Sequence, residues 1–413
     1  MWNLPGSCLL LLSVIRCATH ALQTWPSSID ELEDIMFLNT GYRNRGFGAL
    51  VTPCGFTSTE DTTRSNAAEW LRTAFHDMAN IALAGGRNGG LDASLVYELG
   101  ASNIGAGFET TLRNFVPYYS TRSSMADIIA LGVYASVRSC GGPVIPIRTG
   151  RKDAIKQTGI IGGTPLPQND IGTFVNQFHR MGFNQTEMIQ LVACGHTIGV
   201  THSNDFPEVV SNASASNAFQ SLDSTRNTFD SAIAQDYLNG STTDALSSQY
   251  AIANKQASDF VVFNSDNNAT ITPMADPTTF QNICQSLLQR MIEVVVDPSI
   301  LTDPIEVYDV KPAALQLSLM DGGDQISFTG EIRVRTTSKP IDSVQIMYWD
   351  RIGIPGPNNT ITTTLKGTAQ GFEDQFSVGS AQHTAMTVSN IGSFMDSILS
   401  FHQNLLYHLS LSK

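Results

Sequence analysis

The chain of 413 residues is predicted to fold as a mainly α-helical domain followed by a small all-β sandwich. Three observations predict this. Up to residue 296, segments repeat apolar residues at helical spacing or are rich in helix formers. From Ile305 onward the pattern becomes short alternating runs punctuated by Gly, Pro, Asp and Asn. The length, finally, exceeds one ordinary core and points to two domains.

Taken in order, residues 1–21 read as a secretory signal peptide: an apolar run from Cys8 to Ile15 precedes Thr19-His20-Ala21, a small-residue cleavage site, although the usual basic start is missing. Residues 60–82, 107–116, 123–137, 170–180, 185–195 and 275–296 are expected as helices within a domain spanning 22–300. Asn-, Gly- and Ser-rich loops separate them. The boundary is placed at Asp297 to Pro304, within VDPSILTDP. The β-rich region, 301–393, is read from IEVYDV, LQLSLM, QISFTGEIRVRTT, SVQIMYW, TITTTL and QFSVG. Phe394 to Lys413 forms a C-terminal tail with amphipathic spacing.

Net charge is −13, which argues against nucleic acid and anionic membranes, because phosphate binding needs clustered Lys and Arg. Beyond the leader no stretch is long and apolar enough to span a bilayer. Removing the leader takes Cys8 and Cys17 with it and leaves Cys54, Cys140, Cys194 and Cys284, an even number suited to an oxidising compartment. Asn184, Asn212, Asn239, Asn268 and Asn358 all begin N-x-S/T sequons. A secreted, extracellular, acidic glycoprotein is the expectation.

The chemistry concentrates in two places. Arg72 and His76 stand four apart in WLRTAFHDM, so on a helix a cation and an imidazole project from one face. A second histidine, His196, lies in LVACGHTIG, where an apolar run meets Gly-His-Thr-Ile-Gly. Between them Ser124 to Ala154 carries SMADIIALGVYASVRSCGGPVIPIRTGRKDA.

Together these segments resemble the plant-peroxidase superfamily. Arg72 to Asp77 followed by Gly90 to Ser94 is similar to its distal R-x-x-F-H-D and G-x-D-x-S motifs, and LVACGHTIG is similar to its proximal motif. The segment 124–154 resembles its A-D-(I/L)-(I/L)-A helix and its G-G-P…G-R-x-D-A run. The resemblance covers roughly residues 50–295. It implies a two-lobed helical domain with haem b between distal and proximal helices. Phe75, where intracellular relatives carry tryptophan, points to the secreted, fungal class II-like branch.

What the resemblance implies can be written residue by residue. His76 is the expected acid and base for H2O2, Arg72 the charge-stabilising donor, and Phe75 lies over the haem face. Asn103, in ELGASNIGAGF, is the expected acceptor for the far nitrogen of His76. His196 is the expected iron ligand, and Pro167 is expected beside the cofactor. Asp266, in VVFNSDN, is the expected carboxylate partner of His196, with Asp259, in ASDF, as the alternative. Two Ca2+ ions are implied: one at Asp77, Gly90, Asp92 and Ser94, the other at Thr197, Asp223, Thr225, Thr228 and Asp230. A Cys54–Cys140 bridge is implied as well; Cys194 either pairs with Cys284 or stays a buried free thiol. Other bridges of plant members are not expected, since Met125 replaces a cysteine.

Departures narrow the donor. Leu222 stands where relatives carry Phe or Trp against the proximal imidazole. Of three manganese-binding carboxylate positions, only Glu69 matches, with Ser65 and His202 at the others. Leu191 stands where lignin-oxidising relatives place a surface tryptophan. The resulting expectation is a secreted haem peroxidase that oxidises small phenols and aromatic amines by one-electron steps through a ferryl intermediate. The β-rich accessory domain has three readings: a module binding wall polysaccharide with Tyr348 and Trp349 as a stacking platform, a packing partner for the haem domain, or a piece without separate function. The alternative to the enzyme is a catalytically inactive relative serving as a cell-wall or glycan-binding module. Retention of Arg72, His76 and His196 together argues against it.

Overall fold

In the computed structural model residues 27–387 are described, except 83–87, 101–102, 212–216, 242, 324, 339–340, 342 and 348–359. The leader with Cys8 and Cys17, the sequons at Asn212 and Asn358, the Tyr348–Trp349 pair and the tail lie outside the described residues.

Helices come first, as the apolar spacing requires. They are α1 (Asp30–Phe37), α2 (Asn66–Met78), α3 (Gly107–Phe115), α4 (Met125–Ser139), α5 (Ile171–Met181), α6 (Gln185–His196), α7 (Ala232–Leu238), α8 (Gln249–Ala253), α9 (Ser258–Phe263) and α10 (Pro277–Ile292). Six match the expected segments; α1, α7, α8 and α9 are short and were not read from the sequence. The strand β1 (Thr40–Gly41) follows α1, and a ribbon of β2 (Val200–His202) and β3 (Phe219–Ser221) follows α6.

Helix α4 forms the centre: Ala126 to Val137 are all buried, which is why this stretch reads as apolar on every side. Its Ser124 cap accepts from the Asp127 amide, and the α5 cap, Asp170, from the Thr173 amide. Trp70 of α2 packs between Phe47 and Phe115, with ring centroids 4.9 and 4.7 Å away. Each such fully buried side chain contributes on the order of 1.5–3 kcal/mol. Cys54 is bonded to Cys140, and Cys194 to Cys284, which settles the open pairing and ties α6 to α10.

The C-terminal region is all β, as predicted. Its strands are β4 (Val310–Leu319), β5 (Gln325–Arg335), β6 (Gln345–Met347), β7 (Thr360–Thr362), β8 (Thr364–Gln370) and β9 (Gln375–Thr387). Five strands form one antiparallel sheet in the order β1-β8-β9-β5-β4, and β6 and β7 form a two-stranded ribbon. Ile346 and Ile361 of the ribbon pack with Phe328, Ile332 and Val334 of the sheet, which gives two β layers around a small core. IEVYDV stays irregular up to Asp309.

The sheet is also stitched to the beginning of the chain. Thr40–Gly41 forms its edge strand, and Phe376 and Ala369 belong to the same apolar core as Trp70 and α4. Glu33 of α1 is fully buried and meets both Lys311 (2.8 Å) and Arg333, while Arg333 also reaches Asp34 (2.9 Å).

Candidate active site

On α2 the residues Glu69, Arg72 and His76 share one face, while Trp70, Leu71, Ala74 and Met78 point into the core. That face looks into a cleft also lined by the end of α6, where His196 is the last helical residue. The cleft encloses about 1590 Å³, part of it open to solvent. Phe75, Phe174, Phe178, Leu191, Val192, Leu222, Leu288 and Met291 give it an apolar lining, and Pro167 lies on its wall with Pro165 and Leu166.

Hydrogen bonds fix which nitrogen each imidazole presents. Nδ1 of His76 lies 2.8 Å from Oδ1 of Asn103, and the Asn103 amide nitrogen donates to the Glu98 carbonyl at 3.1 Å. That second bond orients the amide, so its oxygen faces His76 and Nδ1 must donate. Nε2 of His76 is left with its lone pair free. Burial, then the Arg72 charge, pushes His76 down to about 3, so it is a neutral base.

Arg72 is held from several sides. It donates to the Ile104 carbonyl at 2.9 Å, and its guanidinium lies 4.4 Å from the Phe108 ring centroid and 5.7 Å from that of Phe206. Burial lowers it to about 10, with Asp205 and Glu69 opposing, so it stays cationic at neutral pH. Phe108, Phe206 and Asp205 were not singled out from the sequence, because no local pattern ties them to Arg72.

The proximal side corrects one expectation. His196 Nδ1 lies 2.7 Å from Oδ2 of Asp259, a fully buried carboxylate in the first turn of α9. Asp266 instead closes the next turn, its Oδ2 accepting from the Thr270 amide at 3.0 Å. Ser-Asp occurs at both 258–259 and 265–266, and the distinguishing signal was the helical spacing after the first. Asp259, Val262 and Phe263 fall on one buried face, whereas Asp266 ends up in a partly exposed 3-10 turn. With a carboxylate on Nδ1, Nε2 of His196 is also free toward the cleft.

Two further positions differ or gain detail. Leu191 is buried and lines the cleft, so it does not occupy a surface position. Glu69 faces Arg64 at 3.1 Å; Ser65 donates to the Cys54 carbonyl, and His202 Nε2 lies 2.8 Å from the Thr63 hydroxyl.

Both expected calcium loops are brought together. Asp77 accepts amides from Asp92, Ala93 and Leu95 at 3.0, 2.8 and 2.9 Å, and the Asn80 amide donates to Ser94 Oγ at 2.8 Å. Gly90, with φ +95, could not carry a side chain, since a Cβ would lie 2.6 Å from the Val294 carbonyl. Burial, then the Asp92 charge, pushes Asp77 up to about 8 despite those amides. On the proximal side Thr197 Oγ1 donates to the Asp230 carbonyl at 2.6 Å and Thr225 Oγ1 to Asp230 Oδ1 at 2.9 Å. Thr228 lies in the same turn, its amide on the Thr225 carbonyl. Asp223 accepts the Thr225 amide on Oδ1, its Oδ2 is buried without a partner, and burial raises it to about 7. Buried carboxylates of this kind, surrounded by hydroxyl and carbonyl oxygens, fit a hard cation. Among the described residues no three His, Cys, Asp or Glu side chains cluster as a metal site, so hydroxyl and backbone oxygens would complete both sets. No helix among the described residues is long and apolar enough to cross a membrane.

The family model described as "Peroxidase" matches residues 56–301. A "WSC domain-containing protein" of Arthroderma benhamiae is 54% identical over 360 residues, covering 86% of this chain and 49% of that protein. "Peroxidase 63" of Arabidopsis thaliana is 30% identical over 167 residues, 36% of this chain and 48% of that protein. "Putative L-ascorbate peroxidase 6" of the same plant is 32% identical over 160 residues, 37% of this chain and 46% of that protein. The chain thus spans about half the length of these relatives.

Proposed function

Because the chain belongs to the peroxidase family, we propose that it is a secreted haem peroxidase that uses H2O2 to oxidise small organic donors, phenols and aromatic amines among them, by one-electron steps. The observation that carries this reading is the pair of imidazoles, each with Nδ1 engaged and Nε2 free, lining one cleft. Haem b, when bound, would supply a redox-active iron with an open coordination position. His196 would hold it through Nε2, made more basic by the Asp259 carboxylate on Nδ1.

The remaining steps belong to residues of this chain. Neutral His76 takes a proton from H2O2 at Nε2 and returns it to the departing oxygen, which leaves as water. Asn103 keeps the imidazole in the tautomer that permits this. Arg72 stabilises the negative charge that develops as the O–O bond breaks, and the rings of Phe108 and Phe206 hold its guanidinium in place. Phe75 and the aliphatic lining exclude water from the reacting oxygens. We propose calcium at both loops, supported by their buried, unneutralised carboxylates. Two buried disulfides support an oxidising compartment.

The test is the absorption spectrum of the chain reconstituted with hemin, before and after one equivalent of H2O2. A haem spectrum that responds rapidly to peroxide is expected. The response should slow by roughly 10²–10⁴-fold in His76→Leu, and the haem spectrum should be lost or altered in His196→Ala. A wild-type chain that binds no haem, or binds it without response, sinks the proposal.

A further inference from the structure

A second cavity lies away from the catalytic cleft. Its walls are the start of α1, the loop 119–124 that leads into α4, the loop 149–153 and Thr302. It encloses about 920 Å³, part of it open to solvent, and shares no described residue with the cleft of His76 and His196. Half of the described residues that line it are Ser or Thr, and Leu32 and Tyr119 are the only large apolar side chains among them. The Tyr119 ring is 56% exposed.

The charges of this cavity balance. Arg151 and Asp127 form a buried pair at 2.8 Å, Asp153 accepts the Met125 and Ala126 amides at 2.9 and 2.8 Å, and Arg122 donates to the Ser27 carbonyl at 2.8 Å. Two cations and two carboxylates therefore line it, which favours a neutral ligand over either ion. The hydroxyl groups divide into two sets. Ser120 meets Ser123 at 2.8 Å and Thr149 meets Thr302 at 3.2 Å, so these are engaged. Ser124 accepts the Asp127 amide at 3.1 Å and keeps its own O–H to donate. Among the described residues the side chains of Ser28 and Thr121 and the Tyr119 hydroxyl meet no hydrogen-bond partner.

An apolar ligand would find little to bury against here, whereas a polyhydroxyl compound finds donors and acceptors grouped around one aromatic ring. A sugar whose hydroxyls are equatorial, such as β-linked glucose, has a flat face of C–H bonds that packs on such a ring while its edge hydrogen-bonds. We propose that this cavity is a saccharide-binding site for a neutral, β-linked glucan segment, with Tyr119 as the stacking surface and Ser28, Thr121 and Ser124 as hydroxyl partners. Binding there holds the chain on a polymer and leaves the catalytic cleft open, because the two linings have no described residue in common. It needs no cofactor and so stands apart from the haem reading.

The experiment is calorimetric titration of cellohexaose into the full-length chain as wild type, Tyr119→Ala, Tyr119→Phe, Thr121→Val and Trp349→Ala, with far-UV circular dichroism to confirm that each is folded. Wild type should bind. Removing the ring in Tyr119→Ala should weaken binding about tenfold or more, while Tyr119→Phe keeps the ring and should stay within about threefold of wild type. Loss of one hydroxyl partner in Thr121→Val should weaken it about fivefold, and Trp349→Ala, in the β region, should bind as wild type does. Absence of binding to wild type at millimolar cellohexaose would overturn the proposal. So would undiminished binding in Tyr119→Ala, or a loss confined to Trp349→Ala, which would put the sugar on the β region instead. Should Tyr119→Ala fail to fold, Thr121→Val decides: binding equal to wild type in that variant also overturns the site.

Discussion

Burial makes His76 a base. An exposed imidazole titrates near 6.5, whereas desolvation and the Arg72 charge bring this one to about 3. In the haem-loaded chain, the rate of reaction with peroxide should therefore stay flat from neutral pH down to about 4.5 and fall as pH approaches 3, read by stopped-flow absorbance. The same group bears on folding. Unfolding lets it take up a proton below 6.5, so its contribution to stability is complete above that pH and is lost as pH falls from 6.5 through 3. Urea midpoints of the haem-free chain measured against pH should decline over that window, and His76→Leu should decline less. Arg72, His76, Phe75 and His196 were legible because each sits inside a short contiguous motif. Asp259 was legible only as the alternative, since two Ser-Asp pairs seven residues apart present the same local chemistry.

At the scale of elements, α6 carries His196 and is set at its other end by a capping box. Asn184 Oδ1 accepts the Glu187 amide at 2.9 Å, and the Glu187 carboxylate accepts the Asn184 amide at 2.9 Å. Asn184→Ala should lower stability by about 1 kcal/mol, measured by denaturant unfolding, while the haem spectrum is unchanged. An altered spectrum would show that the cap also governs the far end of the helix. The two acidic loops brace α2 and α6 immediately beyond His76 and His196. Chelation should therefore lower the melting temperature by several degrees and added Ca2+ should restore it, because an ion bound only to the folded state stabilises it by mass action. Equal melting temperatures with and without chelator would remove calcium from the proposal.

Across the whole molecule, the β region shares a core with the helices instead of standing apart. Phe376 and Ala369 join the cluster of Trp70 and α4, and Glu33 of α1 lies between Lys311 and Arg333 of the sheet. Heating or urea should therefore unfold helices and sheet in one transition by far-UV and near-UV signals; two separated transitions would contradict the shared core. Glu33→Ala removes the fully buried carboxylate shared by Lys311 and Arg333 and leaves both cations to Asp34, 2.9 Å from each, so it should cost about 3 kcal/mol. Retention of full stability in that variant would mean that water reaches the cluster.

By itself the sequence determined the helical pattern, the change to alternating strands after residue 300, and the motif residues Arg72, His76 and His196, because each rests on periodicity or on neighbours a few positions apart. Tertiary structure decided that Asp259 and not Asp266 backs His196, that Cys194 pairs with Cys284, and that Phe108 and Phe206 hold Arg72. It also decided that residues 40–41 complete a sheet formed more than 260 residues later. These contacts join segments far apart in the chain, and their partners are fixed by which faces are buried together; burial on that scale leaves no local spacing to read.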